Sequence, residues 1–339
     1  MTTTERRFGR TELTPELQQA LRRAMRLEWT TIGVLAVTVA LVALVMGSSQ
    51  AMKAAWIEDM LSFVPPVAFL VAVRIINRPP THNRPYGNHR AMGVGHLVAS
   101  VALLVMGSYL IVDSAIGLVT AEHPPIGTFH LFGHTVWQGW FMIVIMILSI
   151  PGPVILGRMK IKIAEQLHDK VLYADADMNK ADWQTGVATA VGVAGVGLGL
   201  WWFDAAAALF VGVSILRDGV TNVGTAITDL ADARARTIEG NDEHPLIRQA
   251  EEHAQTFDWV ESAGARIRDE GHVFHTEMFI VPAAGRELTT AMIDELRASL
   301  ADVDWKLEDV VVSPVRELPA EVHGGEPQDK QSEGGRNSE

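Results

Sequence analysis

The sequence predicts an α-helical membrane protein, six transmembrane helices followed by a small cytoplasmic α+β domain. Three observations carry that reading. Of the 339 residues, 48% are hydrophobic, and they fall in blocks about as long as a bilayer crossing. Lys and Arg collect in alternate connections between those blocks. From about residue 240 the blocks give way to alternating β-branched runs and amphipathic stretches. The net charge of −12 belongs largely to the part after residue 229. The absence of cysteine excludes disulfides, thiolate metal sites and thiol redox chemistry. No basic stripe interleaved with aromatics points to nucleic acid, and the charged beginning of the chain lacks the short apolar core of a cleavable signal.

Residues 1–28 read as a basic amphipathic cytoplasmic segment carrying Arg6, Arg7, Arg10, Arg22, Arg23 and Arg26. The 18 charge-free residues 29–46 suffice for a first span. After the turn Gly47-Ser48-Ser49-Gln50 a second helical segment, 52–77, carries Glu58 and Asp59 near its middle. A third, 91–119, contains His96 and Asp113, and 120–134 reads as a loop with His123, His130 and His134. Those histidines are expected to be solvated, with loose metal binding as the alternative. The fourth span covers 136–157, the fifth 176–200 and the sixth 205–228, so the six-helix domain occupies 29–230. The initial segment, the 74–90 loop (Arg74, Arg78, Arg84, Arg90) and the 158–170 loop (Arg158, Lys160, Lys162, Lys170) are basic, whereas the three opposite loops carry only Lys53. Basic loops stay in the cytoplasm, so six spans place both termini there, in the cytoplasmic (inner) membrane.

The cytoplasmic domain is expected over 238–318. A polar helix pattern at 244–256 precedes two alternating runs, 260–268 and 273–281, separated by the hairpin signal Asp269-Glu270-Gly271-His272. An amphipathic stretch at 288–300 and a strand at 307–315 complete an α-β-β-α-β order. Residues 319–339, rich in Gly, Pro, Glu and Ser, are expected to be disordered.

The chemistry gathers at Ala174-Asp175-Ala176-Asp177-Met178-Asn179-Lys180-Ala181-Asp182, at the mouth of the apolar run 183–203. Helical spacing puts Asp175, Asn179 and Asp182 on one face and Met178 one turn before Asp182. An ionisable group beside a membrane span is costly, and its default reading is functional. For Asp175 and Asp177 the alternative is capping of the helix N-terminus. On the second segment, Pro65 and Pro66 stand one turn after Leu61 and Ser62, whose carbonyls lose their usual amide partners. Freed carbonyls beside Glu58 and facing Asp182 make an oxygen-rich cation pocket; the alternative is a kink that packs against a neighbour. Gly192, Gly195, Gly197 and Gly199 read as close helix packing on span five.

The loop motif Arg84-Pro85-Tyr86-Gly87-Asn88-His89-Arg90 follows span two, and Ala174-Asp175-Ala176-Asp177-Met178 with Asp182 opens span five. With six spans and a C-terminal domain, over roughly residues 25–318, these resemble the cation diffusion facilitator family. The family's loop carries a Pro…Tyr/Phe-Gly-His pattern, and its fifth span opens with Ala-Asp-Ala-x-His-x-x-x-Asp. The resemblance implies a homodimeric, proton-coupled exporter of divalent cations that works by alternating access, a secondary transporter rather than an enzyme. It implies a tetrad of ligands, two from span two and two from span five. Here those positions fall on Glu58 and Ser62, and on Met178 and Asp182, with Asn179 beside them. A one-residue shift of register brings Asp59 in place of Glu58. Met178 stands where the family most often has His, and the oxygen-rich remainder suits manganese, ferrous iron or magnesium better than zinc. Arg84 and Asn88 occupy positions where the family's loop site would use acids or histidines. On the cytoplasmic strand, His275 and Glu277 share a face at period two, near His272, and are the candidates for a secondary metal site. The competing reading is a non-transporting relative, a membrane-anchored metal sensor or dimerisation partner.

Overall fold

The computed structural model describes residues 14–45, 56, 59–121, 127–131, 134–238, 240, 242–307 and 309–322. Glu58 and His123 lie outside the described residues, as do 323–339 of the tail; the side chains of His130 and His134 do too.

Helix α1 runs from Pro15 to Val45 without a break. Its first half therefore joins the helix that the sequence reading began at residue 29. Leu21 and Ala24 recur at helical spacing and are buried against the other helices, so tertiary packing extends the helix toward the N-terminus. Asp59–Leu61 is a short helical piece, followed by a turn at Ser62-Phe63 and then α2, Val64–Ile76. The break falls where Pro65 and Pro66 cannot donate to the carbonyls one turn earlier. Helix α3 is Ala91–Val119. Residues Thr128–Leu131 (β1) and His134–Trp137 (β2) then form an antiparallel hairpin where a loop was expected. Thr, Phe, Val and Trp in those runs favour a pleated ribbon.

Helices α4 (Gly139–Ser149) and α5 (Pro151–Leu167) follow one another through Ile150. The fourth helical length thus reaches Leu167, and Arg158, Lys160 and Lys162 lie on a helix instead of in a loop. The connection shrinks to His168-Asp169, where His168 adopts a left-handed conformation and Asp169 caps α6 by accepting from the Leu172 amide at 3.0 Å. Helix α6 is Lys170–Gly197 and α7 is Phe203–Leu230.

Among the described residues, four helical lengths are long and apolar enough to cross a membrane: Pro15–Leu44, Asp59–Ile76, Ala91–Val119 and Gly139–Leu167. Helices α6 and α7 have 28 residues each, but their facing sides carry a polar seam. Lys170 pairs with Asp229 at 2.7 Å, Lys180 with Asp218 at 2.6 Å, and the Asn222 amide donates to Asp177 at 3.0 Å. Paired charges between the two helices lower the hydropathy of both.

Helix α6 is the hub and packs against α2, α3, α4, α5 and α7. Helices α3 and α7 touch backbone to backbone: a Cβ on Gly107 would sit 2.5 Å from the Leu216 nitrogen, and one on Gly219 2.7 Å from the Leu104 Cα. Of the span-five glycines, Gly192 and Gly195 make room for Asp204 and Phe203 at the α6–α7 turn, and Gly197 for Trp137.

The C-terminal region orders α8 (Leu246–Ala254), β3 (Val260–Asp269), β4 (Phe274–Pro282), α9 (Thr290–Val303) and β5 (Asp309–Pro314). Strands β3 and β4 are antiparallel and β4 and β5 parallel. Both helices pack on one face, around Ala265, Ile267, Met278, Ile280, Leu296 and Leu300. The β3–β4 tip meets the membrane helices. Gly271 has φ +111° and leaves no room for a Cβ beside Met92 of α3. There the Asp269 carboxylate lies 2.8 Å from Lys170 Nζ, and His272 Nε2 bonds Asp169 at 2.8 Å.

Candidate cation site

The turn at Ser62 brings the broken second helix onto α6. Ser62 is buried, and its hydroxyl donates to Asp182 Oδ1 at 2.6 Å. A proline pair is what releases the chain from helix here, and the released carbonyls of Leu61 and Ser62 stand in the same turn as that hydroxyl. Asp59 lies one turn before Ser62, in the short helical piece that the turn brings toward α6. Of the two register alternatives, only Asp59 lies among the described residues. Thr185 closes the turn after Asp182 by donating to its carbonyl at 3.0 Å.

The other two candidates sit less directly. Met178 is fully buried in an apolar cluster with Leu103, Met106 and Ile215, against which Leu61 packs. Its thioether walls the site on the side of α3 and α7. Asn179 donates from its amide to the Asp175 carbonyl at 2.8 Å, one turn back on its own helix. Its Cβ packs over Gly157, so Asn179 faces α5.

Two turns before Asp182, sequence reading missed a buried ionic triad. Lys160 Nζ lies 2.5 Å from Asp175 Oδ2 and 3.1 Å from Glu28 Oε2, and none of the three side chains is more than 1% exposed. One ammonium thus serves two carboxylates, each from a different helix. Asp175 is therefore neither a solvated cap nor a partner of Ser62. The available signal was helical spacing: with α5 continued through residue 160, a lysine on its inner face needs an acid opposite.

Residues 29–231 match the cation efflux transmembrane domain. The chain belongs to this family, the cation diffusion facilitators. It is a membrane-embedded transporter of cations. The manganese efflux system protein MneS of Bacillus subtilis (strain 168) is 22% identical over 246 residues, 71% of this chain and 77% of MneS. The uncharacterized transporter YdbO of the same organism is 26% identical over 72% of this chain and 79% of its own length. The manganese efflux system protein MneP, also from Bacillus subtilis, is 22% identical over 44% of this chain and 46% of its own.

Outside the membrane region of this cation efflux protein, His275 and Glu277 do share the outer face of the sheet. His275 stands opposite Asp309, with Nδ1 at 2.7 Å from its carboxylate, and Nε2 faces Glu277 at 3.6 Å. Glu277 is itself bound by Arg266. Among the described residues no group of three or more His, Asp and Glu is arranged to hold a metal ion. The hydrogen bond to Asp309 raises the His275 imidazole above its ordinary value, with burial opposing. A folded-state value raised above the unfolded one gives stability that is complete below about 6.5 and is lost as pH rises through the raised value. The melting temperature of the full-length protein should therefore fall as pH rises above about 6.5, by the effect of no more than about 1 kcal/mol for a partly exposed pair. Asp309→Asn should flatten that slope; an unchanged slope would remove His275 as its source.

At the junction, burial pushes the Asp269 carboxyl up, but His168, 3.5 Å away, and the Lys170 ammonium outweigh it and hold it below the ordinary carboxylate range. Asp269 stays ionised, and α6 is thereby tied to the soluble domain through a charge pair at its first residue.

Proposed function

We propose that this chain exports a divalent cation, manganese first, in exchange for protons, by alternating access around Asp182. The observation that carries this is the 2.6 Å bond from Ser62 to Asp182, which joins a proline-broken second span to the fifth at the level of an acid pair. Non-helical backbone at membrane depth is tolerated where it lines a cavity, and discontinuous helices are where secondary transporters hold their ions. Asp59 or Glu58, Asp182, Ser62 and the freed carbonyls supply oxygen, with Met178 and Asn179 adjoining. An oxygen donor set suits manganese, ferrous iron or magnesium over zinc, and two relatives are named for manganese efflux. A buried carboxylate can exchange a cation for a proton, which supports coupling without a histidine. In this reading the chain makes six spans, with α6 and α7 the fifth and sixth, both termini in the cytoplasm, and a homodimer held by the 238–318 domain.

The test is transport by the purified protein in liposomes. Manganese should move, faster with an imposed proton gradient, and zinc should compete weakly. Failure of every divalent cation to move would favour the second reading, a non-transporting sensor or partner. The apolar packing of Met178 at a ligand position is the observation on that side.

A further inference from the structure

A groove of about 690 Å³ runs along the outer faces of α2 and α3, from Phe63 beside the helix break to the loop that carries Arg84 and Arg90. The volume lies in the range of small-molecule sites. Its α2 wall, from Val64 to Ile75, extends about 17 Å at 1.5 Å per residue. That is close to one leaflet of hydrocarbon, half of ~30 Å. Val67, Val71, Val94 and Val98 stand half-exposed along it, and Gly95 and Ala72 form a shallow floor. The polar lining is confined to one end and is basic: Arg84, Asn88 and Arg90, with no acid among the lining residues. Arg90 is occupied by Asp232 and the Leu230 carbonyl. Arg84 is held by Asn88 at 2.7 Å, and no carboxylate of the described residues pairs with it.

We propose that this groove binds one anionic phospholipid, an acyl chain along the valines and the phosphate on Arg84. An apolar trough of leaflet length that ends in an unneutralised guanidinium at the interface is the complement of that molecule. Guanidinium presents a planar fork to phosphate oxygens. A second copy of the chain fits less well, because a self-complementary contact across this face would bring one basic mouth against another. The site needs only that the helices lie in a bilayer, so a failure to transport metal leaves it standing.

The experiment counts lipids retained by the purified full-length protein after incubation with an equal mixture of phosphatidylglycerol and phosphatidylcholine, by native mass spectrometry. One phosphatidylglycerol per chain should be retained, preferred by about fivefold, the contribution of one basic residue near an anionic surface. Arg84→Gln should abolish the preference while leaving the number of bound lipids unchanged. Val94→Trp, which fills the trough from an exposed position, should lower retention of both lipids, and Val98→Trp, one turn along the same wall, should do the same. Equal retention of the two headgroups by the unaltered protein would overturn the proposal. So would a preference that survives Arg84→Gln, or disulfide cross-linking of Val94→Cys between two chains, which would assign the groove to a second copy.

Discussion

Lys160→Met should lower the thermal stability of the detergent-solubilised protein by on the order of 10 °C, or prevent its accumulation. The ammonium is the shared counter-charge of Glu28 and Asp175, and all three side chains are sealed from solvent. Removing one partner of a buried ion pair costs about 3–5 kcal/mol, because the remaining charge is left uncompensated. Here two carboxylates from different helices would be left facing each other. At about 2–4 °C per kcal/mol for a chain region of this size, the shift is large enough to read by any melting assay. The companion variant Glu28→Gln/Lys160→Met/Asp175→Asn removes the charges together. It should recover most of the loss, since replacing a whole buried ionic group by neutral residues is often nearly neutral. If Lys160→Met melts with the unaltered protein, the ammonium is not where those two oxygens meet. If the triple variant is as unstable as the single one, shape and not charge governs the position.

The second large effect is on transport. Asp182→Ala should abolish metal movement while expression and melting stay near those of the unaltered protein. A carboxylate at membrane depth costs about 2.5–3.5 kcal/mol by insertion scales, so its loss carries little stability penalty. Asp182→Asn should also remove the dependence on the proton gradient, since an amide cannot titrate. Ser62→Ala should slow transport by about tenfold, the effect of one charge-assisted hydrogen bond, because the hydroxyl reaches Asp182 at 2.6 Å. Asp59→Asn and Glu58→Gln decide the register of span two. Loss from Asp59→Asn alone would give the position to Asp59; loss from Glu58→Gln alone would give it to Glu58. If none of these substitutions alters transport, the acid pair is not the site.

Much of the organisation was legible because it is written in periodicity. Apolar runs of 18 or more residues and period-two strands survive any detail of packing, so strands β3 and β4 fell within a residue of their expected places. What was not legible depended on partners distant in the chain. Lys160 looked like a loop cation because charge after an apolar run usually marks a membrane edge; α5 continues past it because an acid on α1 and another on α6 meet it inside. Helix α1 begins well before its apolar half because Leu21 and Ala24 find buried surface, which hydropathy alone does not reveal. The 128–137 hairpin was hidden by the histidines that read as loop. At the site, the proline break was readable from two letters. That Ser62 would reach Asp182, while Asn179 would turn to Gly157, required the rotation of α6 among five neighbours.

Asp169 has a consequence for how the molecule opens. One carboxylate oxygen caps the first turn of α6 through the Leu172 amide, and the other holds His272 at the tip of the soluble domain. Fraying of that helix end and undocking of the hairpin therefore share an atom group and draw on the same free energy. They form one cooperative opening unit and not two independent ones. Amide hydrogen exchange at Leu172 should then keep pace with exchange at Gly271, whose own amide is tied to Asp269 in the same turn. The membrane helix that carries Asp182 and the hairpin beneath it would breathe at a single rate.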